Sequence, residues 1–282
     1  MLRALLTGLR LTTRQWRLGL VLWLVSAGFG VGFAAVTGYW LSESLAGSLP
    51  MRTLLHELDA DVFVDLLFHH GESLRMVLVA AMVLAVIYVG LWFWFHAAIV
   101  VAVQGRGDAG LPEAFLRGVE RTPLMARLFA VATVVLAVFS LAVGLPAWWL
   151  IRATFAQPSE LITYHIAAAG AAVWALGYIA LVAIHDHARL RACAAHGRAL
   201  PAYAWAARFV LSGGAYAYPL ALALQLIGAA GWLLYGTLPA SVPATNGVTV
   251  AALFLWGELF LLLRMWLRVW FFAAQNELQS PR

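Results

Sequence analysis

Glu258 is the one carboxylate that falls well inside a long apolar run, at residues 248–272. An ionised carboxylate near mid-bilayer is costly, so a residue of this type in this place is protonated, or bonded to another helix or to water. The amide of Gln225, in the preceding apolar run, is of the right type to bond it. Passage of a solute or proton past Glu258 and a structural hydrogen bond between helices are both open readings. Arg264 and Arg268 follow on the same helix, four residues apart and so on one face, with Arg264 turned about 240° from Glu258. Both lie close enough to the inner end to snorkel, and they read as anchors.

Two further groups carry ligand-type side chains. Asp61, Asp65, His69 and Glu72 recur at offsets of four, four and three, a spacing that would align imidazole and carboxylates for a divalent cation. Gly71 interrupts that stripe, and Asp59-Ala60-Asp61 lacks the later residues of a calcium loop. The simpler reading is an acidic solvated face, with Leu54, Leu55, Leu58 and Val62 dipping into lipid. His185-Asp186-His187 looks like a metal triplet, but on a helix residues 185 and 187 point about 200° apart and cannot grip one ion. Asp186 can reach Arg189 at i+3 and His187 can lie beside Arg191, which reads as a polar cluster at headgroup level. His96 falls at a depth similar to His185, so an axial pair for a haem is geometrically conceivable. The chain has no Ser/His/Asp order, no glycine-rich phosphate loop and no paired intramembrane carboxylates. The expectation is therefore no cofactor and no enzyme chemistry.

The elements that position these residues are six apolar stretches, approximately 18–40, 76–103, 128–150, 163–184, 215–237 and 248–272. Each reaches the roughly 20 residues that a helix needs to cross the hydrocarbon core. None alternates as a barrel strand does, and lipid admits only helices or closed barrels. The fold class is all-α, a polytopic transmembrane helical bundle of six spans with short interfacial helices in the loops. No gap is long enough for a soluble domain, so residues 1–282 read as one membrane domain. At 63% hydrophobic and 11% charged, the chain lies far from the roughly 25% charge of soluble proteins. The net charge of +5 comes from arginines that flank spans, which points to anionic lipid headgroups and away from nucleic acid. The lone Cys193 rules out a disulfide within one chain.

Arginine sets the orientation. Twelve sit at the amino terminus and in segments 104–127 and 185–214, against Arg52, Arg75 and Arg152 on the other side. The positive-inside rule then places both termini in the cytoplasm. Residues 1–17, with Arg3, Arg10, Arg14 and Arg17, resemble a signal-peptide n-region, but the long run that follows reads as a retained first span. Trp266 and Trp270 read as anchors at the inner face. Leu111-Pro112 and Leu200-Pro201 each precede an amphipathic stretch, Ala114–Val119 and Tyr203–Val210, as at the start of an interfacial helix. Gly28 with Gly32, Ala167–Ala172, and Gly228–Gly231 mark narrow faces where helices can approach.

Asp186 with Ala188-Arg189, the link ending Arg208-Phe209-Val210, and Trp266-Leu267-Arg268 with Ala274-Gln275 resemble a loose group of six-span bacterial membrane proteins of unassigned function. More distantly, the layout is similar to the membrane domain attached to some bacterial glycerophosphodiester phosphodiesterases. The resemblance implies six helices and a bacterial inner membrane, and it carries no catalytic residue across. The leading expectation is a non-enzymatic inner-membrane protein that binds lipid or acts as an accessory subunit beside another membrane polypeptide. The alternatives are a transporter of a small solute or lipid using Glu258, and thirdly an intramembrane enzyme.

Overall fold

Helix formation follows from the apolar runs, because backbone groups in lipid must bond within their own segment. The computed structural model describes residues 1–45, 71–105, 110–154, 160–194, 197–212, 216–242 and 246–279. Asp61, Asp65 and His69, with the rest of the acidic stretch through residue 70, lie outside them. The described residues form eight helices: α1 (Leu2–Arg14), α2 (Trp16–Leu45), α3 (Gly71–Gln104), α4 (Leu111–Thr154), α5 (Glu160–Ala194), α6 (Ala199–Leu211), α7 (Ala217–Ser241) and α8 (Gly247–Gln279). Six of them, α2 to α5 with α7 and α8, are long and apolar enough to cross a membrane. The chain is a multi-pass α-helical membrane protein.

The chain divides into two compact units, Met1–Leu20 with Phe93–Arg282, and Val21–Trp92. Within the second unit, the Ser26 and Tyr88 hydroxyls lie 3.3 Å apart and Phe29 packs against Tyr88. A Cβ at Gly28 or Gly32 would meet nothing within 4 Å, so this GxxxG pair makes no close helix contact among the described residues.

In the first unit the buried residues gather at one end, which carries Met1 and Gln279 and is called the terminal end below. They come from residues 95–103, 183–193, 217–224 and 265–275, with contributions from α1, α4 and α6. The closest approaches to main chain are made by single glycines. A Cβ on Gly8 would stand 2.7 Å from the Ala274 amide nitrogen, and one on Gly118 would stand 3.0 Å from that of Ala98. Both obstacles are backbone, so only glycine fits there without displacing a helix. The other marked faces are looser: Gly170 lies against Ala147, Gly228 near Phe271 and Gly231 near Phe260.

The two Leu-Pro segments fold differently. Leu200-Pro201 opens α6 as a separate short helix, after Gly197 closes α5 by donating its N–H to the Ala192 carbonyl. Leu111-Pro112 opens α4, which runs unbroken into the third span, past Pro123. In the sequence Gly213-Gly214 comes one residue after α6, whereas no such pair interrupts residues 111–127, and Met125 and Leu128 hold that stretch in the core. Where sequence spacing suggests a short helix at Ala114–Val119, the structure has the first turns of a 44-residue one.

Candidate functional site

Asp186 sits two turns before the end of α5, with its side chain only 2% exposed. Its Oδ1 accepts from Arg189 Nη1 at 3.3 Å and from Arg268 Nη2 of α8 at 3.2 Å, and its Oδ2 from Gln275 Nε2 at 3.4 Å. Arg268 also donates its Nε to His96 Nε2 of α3 at 3.1 Å. One carboxylate thus ties α3, α5 and α8 together. The i+3 reach from Asp186 to Arg189 is present, and Asp186, His187 and Arg189 are buried within the protein. Two guanidiniums face a single carboxylate, and the ring of Phe272 helps to accommodate the excess charge. The Arg268 guanidinium lies 4.8 Å from the Phe272 centroid and that of Arg189 lies 6.0 Å from it.

His187 is engaged by Gln279 Nε2, 2.7 Å from its Nδ1 and 3.1 Å from its carbonyl. Arg191, one turn beyond His187, covers the ring of Trp205 on α6 at 5.0 Å. The ring of His185 lies against Tyr203, and its two buried nitrogens make no hydrogen bond among the described residues. His96 Nε2 accepts from Arg268, so that nitrogen is engaged within the knot. No group of three or more His, Cys, Asp or Glu among the described residues is arranged to hold a metal ion. The arrangement is an ionic knot around one carboxylate, in which Arg189 Nε, Gln275 Oε1 and His187 Nε2 are buried without a hydrogen-bond partner among the described residues.

Glu258 is half-buried on α8, and Gln225 half-buried on α7. Trp256 donates to the Tyr235 carbonyl, and Phe260 stacks on Tyr235 with centroids 4.3 Å apart, so residues 256 and 260 face α7. Glu258 lies two residues from each, about 200° round the helix, and projects away from α7 and from Gln225. Arg264 falls on the α7 side, with its guanidinium 5.3 Å from the Trp232 ring. Sequence spacing reads both Arg264 and Arg268 as anchors; only Arg264 is exposed, while Arg268 enters the knot with its side chain 24% exposed.

A second feature lies at the terminal end. Ala4, Gly8 and Thr12 of α1 are buried, and Ala4 joins Leu220, Leu224, Leu267, Phe271 and Ala274 in one apolar cluster. Trp270 Nε1 donates to the Leu5 carbonyl at 2.9 Å, so this tryptophan clamps α1 in addition to meeting any interface. Gln15 Nε2, just beyond α1, donates to the Ala102 carbonyl at 2.8 Å. Gln104 does the same for Leu190, and Arg121 for Cys193. These side chains donate to carbonyls in the last turns of α3 and α5, where intrahelical partners run out. Docking leaves Arg3, Thr7, Arg10 and Arg14 along another face, where with Leu11 and Glu277 they line an open cleft of about 430 Å³. The spacing 3, 7, 10, 14 is a one-face helical pattern, and it was the available signal in the sequence.

Comparison of the chain with protein-family models, with curated proteins and with solved structures gives no match. The class of protein rests on the fold itself, a multi-pass helical membrane protein with a closely packed, polar-braced terminal end.

Proposed function

We propose that the protein is a non-enzymatic component of a bacterial inner membrane, with both termini cytoplasmic, that binds anionic lipid or serves as an accessory subunit of a membrane assembly. The observation that carries this reading is α1: an arginine-bearing amphipathic helix fixed to the bundle through Gly8, with Leu2 and Leu6 left 69% and 50% exposed. A helix with exposed leucines on one side and arginines on another is suited to the boundary between acyl chains and anionic headgroups. The arginine distribution supports the orientation. The buried knot supports a structural role, since the Asp186 carboxylate answers Arg189, Arg268 and Gln275 across two helices.

Native mass spectrometry of the protein, extracted gently from its own membrane, tests this. Reproducible extra mass equal to an anionic phospholipid or to a second polypeptide is expected. A bare, homogeneous chain that ignores added anionic lipid would remove the basis of the reading. A second reading, a transporter or permease, rests on Glu258, half-buried and turned away from α7 in a membrane-length helix. It requires that Glu258→Gln alter flux or cellular phenotype; unchanged behaviour would dispose of it.

A further inference from the structure

The cleft on α1 is more specific than a basic surface. Arg3, Arg10 and Arg14 span eleven helical positions, roughly 17 Å, and converge on one open volume with Glu277 opposite. Thr7 lies between Arg3 and Arg10 on the same face of α1. The helical threonines 12, 13, 37, 122, 133, 154 and 237 turn their hydroxyls back to a carbonyl three or four residues earlier. Thr7 makes no such bond, and it is one of the residues that line the cleft. Guanidinium groups match phosphate oxygens with paired N–H donors, and a hydroxyl adds a neutral donor of the same reach. The volume lies in the range of small-ligand sites. The flank of the row carries Leu2 and Leu6, exposed and apolar, so a ligand bound by the arginines has hydrocarbon-compatible surface beside it.

From these we infer that the cleft between α1 and the last turns of α8 binds the phosphodiester of an anionic phospholipid headgroup, gripped by Arg3, Arg10, Arg14 and Thr7. Glu277 sits where a headgroup hydroxyl can donate to it, which favours a polyol headgroup over a bare phosphate. The inference rests on the lipid-binding reading above and gives it a site.

The test is a titration of delipidated protein in a neutral detergent with phosphatidylglycerol, phosphatidylcholine and free glycerol 3-phosphate, read by native mass spectrometry. Wild type should retain phosphatidylglycerol in preference to phosphatidylcholine. The triple variant Arg3→Gln/Arg10→Gln/Arg14→Gln should lose about tenfold or more in affinity for phosphatidylglycerol. Thr7→Val, which leaves every charge in place, should lose about threefold. Arg127→Gln/Arg198→Gln/Arg208→Gln removes the same charge from other exposed positions and should change affinity less than about twofold. Equal phosphatidylglycerol affinity in wild type and the α1 triple variant, with helicity retained, would overturn the site while leaving lipid binding standing. No preference of wild type for phosphatidylglycerol over phosphatidylcholine would overturn the lipid reading itself. Glycerol 3-phosphate binding as tightly as the lipid would overturn the lipid assignment and make a soluble phosphate ester the ligand.

Discussion

At the scale of the residue, Asp186 holds the terminal end together by answering one buried guanidinium, one half-buried guanidinium and one amide. A buried ion pair adds little over a well-packed apolar substitute, but removing one partner strands the other without compensation. Asp186→Asn should therefore destabilise the protein by roughly 3–5 kcal/mol, seen as a lowered unfolding temperature in detergent. Replacing the exposed Glu113, whose pair with Arg117 is open to solvent, should cost less than about 1 kcal/mol in the same assay. Tyr203, on α6 beyond the membrane-length helices, has its phenol pushed by burial from 10.0 to about 12, against the opposing effect of Arg189. Its neutral form is the one the fold favours. Stability from this group is complete below pH 10 and is lost as pH rises through about 12. Tyr203→Phe should flatten that alkaline decline in unfolding temperature; an unchanged slope would show that another group sets it.

At the scale of the element, small residues matter where a backbone stands opposite them, and not where a motif happens to fall. Gly8→Val should lift α1 from α8, because the obstructing atoms belong to Ala274 main chain. Hydrogen exchange would register this as lost protection over residues 2–14, with α5 and the middle of α8 unchanged. Gly28→Ala should be neutral or slightly stabilising, by up to about 1 kcal/mol, since its Cβ enters open space and alanine is the better helix former. A strong destabilisation at Gly28 would restore the GxxxG pair as a contact. The knot is also an element-scale pattern: Arg268, Phe272, Gln275 and Gln279 follow at offsets of four, three and four, one face of α8. That polar stripe was readable from spacing. Its partners were not, because which helix stands opposite depends on the packing of α3, α5 and α8.

At the scale of the molecule, burial in the first unit is uneven. Of the membrane-length windows in α4, α5 and α8, only 6% of each is buried, while residues 97–100 and 272–274 are almost wholly enclosed. Exchange in detergent should therefore be slowest in residues 95–103, 183–193 and 265–275, and faster over residues 134–150 and 161–178. Uniform protection along α4 and α5 would contradict this distribution.

What the sequence determined by itself is the helical class and the six membrane-length spans. Lipid leaves a continuous apolar run of some 20 residues one way to satisfy its backbone, so composition and length suffice. Tertiary structure alone decided that α1 docks on α8 through Gly8, that Arg268 turns inward to Asp186 and His96 while Arg264 stays on Trp232, and that Glu258 faces away from Gln225. Each depends on which face of one helix meets which face of another. That is settled by the fit of many side chains at once, and no local pattern of residue types contains it.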